Sequence, residues 1–114
     1  MQDDPVRSAA STRNGSPALP EAGSLVGRWT VKGTASSCTV TFAIERIEAA
    51  NAHQLDDPDR CLARLLGQSA VGWRPATDGI DFAGSDRLSV GFFSFQGEDA
   101  VLERPEGPLT LARA

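Results

Sequence analysis

Gly27-Arg28-Trp29-Thr30-Val31 is the first stretch of this sequence with the look of a β-strand. Side chains alternate along a strand, so Trp29 shares a face with Leu25, Gly27 and Val31 in a strand expected over Ser24 to Val31. A Gly two places before a Trp, at the start of the first strand, suits the opening of a small closed β-barrel. Gly lets the backbone pass close to the barrel mouth, and Trp29 would plug that end.

Downstream, the chain reads as short strands between turns. Lys32 to Ser37 is a turn, and Cys38-Thr39-Val40-Thr41-Phe42 alternates cleanly, with Cys38, Val40 and Phe42 inward. Ala43 to Leu55 is expected to be two short strands broken near Asn51. The best helix starts at Asp57, a natural cap, with Pro58 in the first helical position and Gly67 ending it. Cys61, Leu62, Leu65 and Leu66 line its inner face, which brings Cys61 within reach of Cys38. Ser69 to Arg74 is a strand stopped by Pro75, and Asp78-Gly79 is a hairpin signal before Ile80-Asp81-Phe82. Arg87 to Gln96 is a long apolar strand, with Leu88, Val90 and Phe92 on one face and Phe93 and Phe95 on the other. Two more strands follow, Ala100 to Arg104 and Leu109 to Arg113. This spacing means an antiparallel sandwich or barrel. In a barrel the last strand would lie beside the first and set the Arg113 guanidinium over Trp29, a contact worth about 1–2 kcal/mol when shielded.

Upstream, residues 1–23 are rich in Ser, Ala, Pro, Asn and Gly, and bury too little apolar surface to offset their ordering entropy. They are expected to form a flexible arm or tether, leaving residues 24–114 as the folded domain. With 114 residues and a net charge of -4, the chain is one domain at most and carries no basic footprint for nucleic acid. It holds no apolar run long enough to span a membrane, and Met1-Gln2-Asp3-Asp4-Pro5 is too polar for a signal peptide. The two cysteines, Cys38 and Cys61, suggest a disulfide and an oxidising compartment; two free buried thiols in a cytosolic protein are the alternative. A crosslink closing that loop would stabilise the fold by about 3 kcal/mol.

No catalytic constellation is evident, and an enzyme is not expected. His53 is the only histidine, so a histidine-based zinc site would need unusual partners. Asp56-Asp57 is better explained as a loop and helix cap than as an acid–base pair. Asp78 and Asp81 are explained by the hairpin, and no Gly-rich phosphate loop follows a strand. No cofactor or resident metal is implied.

Gly27-x-Trp29 with Arg113 in the final strand resembles the calycin (lipocalin) signature, whose members hold one small ligand in an eight-stranded barrel. Here Phe42, Leu62, Leu65, Leu88, Val90, Phe92, Leu102 and Leu111 would fill a barrel this small. A wider set of residues resembles the bacterial metalloprotease inhibitor family, which includes the inhibitors of serralysin-type alkaline proteases and an outer-membrane lipoprotein branch. The matching pieces are Ser24-Leu25-Val26-Gly27-Arg28-Trp29-Thr30-Val31, Cys38-Thr39-Val40, Cys61-Leu62 with Leu65-Leu66-Gly67, Trp73-Arg74-Pro75 with Asp78-Gly79-Ile80, and Leu109-Thr110-Leu111-Ala112-Arg113.

That resemblance implies an all-β, eight-stranded antiparallel up-and-down barrel with one short helix, closed by a Cys38–Cys61 disulfide. It also implies a monomeric periplasmic inhibitor of secreted zinc metalloendopeptidases, the zinc belonging to the target. In the family a short N-terminal trunk enters the protease cleft and its terminal residues approach the zinc. A free α-amine, with a pKa of about 7.7–8, can coordinate zinc in its neutral form and displace the catalytic water. The arm of this chain is longer, polar and Pro-containing, closer to the membrane tether of the lipoprotein branch, so the zinc-approaching role is not carried onto Met1 or Gln2. Ser24 and Leu25, at the arm–barrel junction, are the expected protease contacts, with Gly27, Trp29 and Arg113 closing the barrel. A small-ligand binder and an envelope lipoprotein serving as an interaction module are the alternatives.

Overall fold

The computed structural model describes residues 19–114. Eight strands close into one antiparallel barrel in chain order, and the last pairs with the first. They are β1 (Gly27–Lys32), β2 (Ser37–Ile47), β3 (Ala52–Asp56), β4 (Gly72–Ala76), β5 (Gly79–Ala83), β6 (Ser89–Gln96), β7 (Asp99–Leu102) and β8 (Leu109–Arg113). A one-turn helix, α1 (Ala22–Leu25), precedes β1, and α2 (Cys61–Leu66) lies between β3 and β4. Most of the expected arm, residues 1–18, lies outside the described residues.

The first two strands follow from their alternation. Trp29 and Val31 of β1, and Cys38, Val40 and Phe42 of β2, are all buried. The strand begins at Gly27 rather than Ser24, because Ala22–Leu25 turns helically and takes Leu25 off the strand face. β2 is one eleven-residue strand, not a strand followed by a separate short one. Its pairing with β3 slips between Phe42 and Arg46, and there the Ala43 carbonyl accepts the Trp73 indole N–H at 3.1 Å. The break near Asn51 is present: Asn51 is left-handed at φ 51° and ends a short 3₁₀ turn over Glu48–Ala50.

The helix starts later than its sequence suggests. Pro58–Arg60 forms a 3₁₀ turn in which Asp59 and Arg60 are both left-handed. Asp57 reaches past this turn, and its two carboxylate oxygens accept the Leu62 and Ala63 N–H groups at 2.7 and 3.0 Å. Two orphan donors at the start of α2 are thereby satisfied. Gly67, at φ 77°, ends the helix by donating to the Ala63 carbonyl. A Cys38–Cys61 disulfide, with Cα atoms 5.8 Å apart, ties α2 to β2.

Two corrections concern the later strands. Pro75 does not stop β4, which runs on to Ala76. The last β3 partner on β4 is Trp73, so Pro75 lies where β4 has only β5 beside it and its missing N–H is tolerated. In β6 the inward residue is Phe93, not Phe92: Phe93 is fully buried, whereas Phe92 and Leu88 are 41% and 66% exposed. The pairing of β5 with β6 shifts at Phe82–Ala83, leaving Val90 as an extra residue opposite them. This bulge resets the alternation downstream of Val90.

Phe92 instead covers Gly79 from outside. A Cβ at Gly79 would collide with the Phe93 carbonyl oxygen and lie 2.6 Å from Phe92 Cζ. Because the carbonyl cannot move without breaking the sheet, Gly79→Ala is expected to cost about 1–3 kcal/mol. A thermal melt equal to the wild type would show that β5 and β6 are not packed this closely.

Candidate functional site

The end of the barrel where the chain enters is organised by residues from both ends of the domain. Trp29 on β1 sits opposite Arg113 on β8 in the register. The Arg113 guanidinium carbon lies 4.4 Å from the Trp29 ring centre, the cation–π contact expected from the sequence. Behind Trp29 the stack continues inward. Phe42 lies parallel to it at 5.2 Å, Trp73 lies parallel to Phe42 at 4.7 Å, and the His53 imidazole leans on Trp73 at 4.9 Å. Phe82 meets Phe42 edge-on at 5.7 Å, and Phe93 meets Phe82 edge-on at 5.4 Å.

On the other side of Arg113 lies the root of the arm. Arg113 Nη1 donates to the Val26 carbonyl at 3.0 Å, and Nη2 donates to the Ser24 carbonyl. The Trp29 indole N–H donates to the carbonyl between them, Leu25, at 2.8 Å. Within the helical turn, the Ser24 hydroxyl and backbone N–H both donate to the Glu21 carbonyl, at 2.7 and 3.1 Å. Gly27 makes this approach feasible. Its φ of 129° is strained for any other residue, and a Cβ there would lie 3.3 Å from Arg113 Nη1.

The two expected contact residues are placed differently. Ser24 is exposed, while Leu25 is only 6% exposed and its side chain belongs to the core. Val26, 39% exposed, is the outward apolar residue of the root. Ile44, 48% exposed, lies on the part of β2 that extends past Gly27's partner Phe42, at the same end. Leu19, at the start of the described chain, is also largely exposed.

Sequence reasoning missed a polar network on the outer wall. Asp81 is not merely a turn residue: its carboxylate pairs with Arg74 Nε at 3.0 Å across β4 and β5 and accepts the Ser89 hydroxyl. The remaining Arg74 donors go to the Ala50, Asn51 and Arg87 carbonyls, and Arg87 donates to the Ala49 and Glu48 carbonyls. Together they hold the β2–β3 connection over Ala83, where Ala50 and Ala52 are buried. The hairpin turn is centred on Thr77-Asp78, one residue earlier than expected, and only that centring puts Arg74 opposite Asp81.

Chemical alternatives find little in this arrangement. His53 Nδ1 lies 2.8 Å from the Ile44 carbonyl, and among the described residues no group of three or more His, Cys, Asp or Glu side chains is placed to hold a metal ion. Phe42 is enclosed by three aromatic rings and Phe92 faces outward, so they cannot line one ligand cavity. A cleft of about 480 Å³ lies beside α2, lined by residues that include Leu55, Arg60, Ala63 and Val71.

Comparison with known proteins agrees with this geometry. A profile of the family described as "Protease inhibitor Inh" matches residues 19–113. The chain belongs to this protease inhibitor family. It is 33% identical over 76 residues to a proteinase inhibitor of Dickeya chrysanthemi, covering 67% of this chain and 62% of that protein. It is 34% identical over 84 residues to an alkaline proteinase inhibitor of Serratia marcescens, covering 74% of this chain and 67% of that one. The chain thus spans less than two thirds of the Dickeya protein. A crystal structure of a psychrophilic marine protease inhibitor superposes with a TM-score of 0.68 at 22% identity, covering 82% of this chain and 98% of that chain, which shows a shared fold. The family is one of inhibitors, not enzymes, and the eight-stranded barrel and disulfide that its resemblance implies are both present.

Proposed function

We propose that this chain inhibits secreted zinc metalloendopeptidases of the serralysin type, with the N-terminal side of its barrel seated at the protease cleft. Membership of the inhibitor family supports inhibition, and the alkaline proteinase inhibitor of Serratia supports the target class. The observation that carries the binding geometry is the clamped root: three consecutive carbonyls, Ser24 to Val26, are held by Arg113 and Trp29. The residues before Ser24 therefore depart from a rigid base, and a segment presented in one direction loses less entropy on entering a cleft. Ser24 and Val26 are exposed beside that departure point and would rest on the cleft rim. The disulfide suits a periplasmic location, as a monomer either free or tethered through the native N-terminus.

The test compares the full chain with residues 19–114 alone against a serralysin-type protease. The full chain is expected to inhibit at micromolar concentration or below, and removal of residues 1–18 to weaken inhibition by about a hundredfold. No inhibition by either form at micromolar concentration would sink this reading for that protease class.

A further inference from the structure

The donors at the root are more specific than satisfaction of its carbonyls requires. Carbonyls at the end of a helical turn are commonly hydrated, so exposed ones need no protein donor. Here the exposed Ser24 and Val26 carbonyls both have one, Arg113 of β8, while the buried Leu25 carbonyl between them takes the donor it needs from Trp29 of β1. Arg113 spans the outer two because its guanidinium is a planar fork. The plane is held in turn by the Trp29 ring at 4.4 Å and by the space left at Gly27.

We infer that Arg113 is a positioning residue for inhibition: it fixes the path by which the chain leaves the barrel at Ser24–Val26 and so pre-organises the upstream segment for the cleft. This rests on the inhibitory reading above. Closing the barrel and aiming the arm are separable tasks. Closure needs β8 paired to β1 and a cation or stem over Trp29. Aiming needs two N–H donors set at the spacing of the Ser24 and Val26 carbonyls. Lysine can supply the cation but not the fork, because an ammonium is a point charge on a flexible stem.

Arg113→Lys in the full chain separates the two. The measurements are the inhibition constant against a serralysin-type protease, the melting temperature, and hydrogen exchange of the amides of residues 22–27. The melting temperature is expected to stay within about 5 °C of the wild type, since β8 stays paired to β1, a cation stays over Trp29, and the hydrogen bonds weakened are solvent-exposed. Exchange at Ser24 is expected to accelerate, and the inhibition constant to rise about tenfold, the effect of one charge-assisted contact. Arg113→Met, which keeps the stem on Trp29 and removes every donor, is expected to raise it further. If either variant melts early, inhibition is measured at a temperature where circular dichroism shows it folded.

Unchanged exchange in both variants overturns the clamp. Faster exchange with an unchanged inhibition constant overturns its role in binding, while leaving the inhibitory function intact. A wild-type chain that inhibits no such protease overturns the function and, with it, the positioning role.

Discussion

Trp29→Ala is expected to lower the melting temperature by about 15–30 °C, corresponding to a loss of about 3–5 kcal/mol. Three losses coincide. The side chain is only 2% exposed, so truncation opens a cavity at the mouth of the barrel. Phe42 loses the parallel ring at 5.2 Å that continues its stack with Trp73. The Leu25 carbonyl loses its donor while the Leu25 side chain remains in the core. Trp29→Phe keeps a ring and drops the N–H, and is expected to cost about 1–3 kcal/mol. Circular dichroism melts of the two variants and the wild type give the comparison. If Trp29→Ala melts like the wild type, the barrel is not closed by this residue.

The parts of the fold legible in the sequence are those where one rule acts alone. β1, β2 as far as Phe42, and β8 as far as Leu111 alternate buried apolar residues with more exposed ones, and β8 runs over Leu109–Arg113, as its alternation predicts. β6 was ambiguous because both of its faces are apolar, and alternation cannot choose between Phe92 and Phe93. A single bulged residue, Val90, made the choice, and bulges leave no reliable trace in composition. α1 was missed for a different reason. Ala-Gly-Ser-Leu has no helical pattern, and the turn is held by donors from Trp29 and from Arg113, which is 87 residues beyond Val26. Long-range donors of this kind can be found only once the strand register is known.

The same distinction separates the two halves of the candidate site. Gly27, Trp29 and Arg113 are visible in sequence because each is an unusual residue in a strand: a Gly at its start, an indole, and a charge on an apolar face. Their grip on Ser24, Leu25 and Val26 is made through backbone carbonyls, which every residue has and no sequence pattern reports. The exposed surface at the root differs accordingly. Sequence pointed to Ser24 and Leu25 as neighbours on an extended strand, whereas the helical turn buries Leu25 and leaves Ser24 and Val26 outside.

Loss of the crosslink is expected to have the next largest effect, about 2–5 kcal/mol for Cys38→Ser. The disulfide joins residues 23 apart, and in the chain-entropy model closing such a loop restricts the unfolded chain by about 3 kcal/mol. The enclosed segment explains why this loss matters here. It contains most of β2, the 3₁₀ turn at Glu48–Ala50, β3 and the left-handed pair Asp59-Arg60, whose backbone conformations cost about 1–2 kcal/mol each. α2 has only six residues and would not persist alone, so it depends on the bond at Cys61, on the Asp57 carboxylate and on Leu62 in the core. A barrel of this size has little stability to spare against such a loss. Melting the wild type with and without a thiol reductant, beside the Cys38→Ser/Cys61→Ser double variant, measures the contribution. Reduction is expected to bring the wild type to the melting temperature of the double variant, and to leave the double variant unmoved. A reductant-insensitive wild type that also matches the double variant would show that the packing of Leu62 and the Asp57 cap hold α2 against β2 without the crosslink.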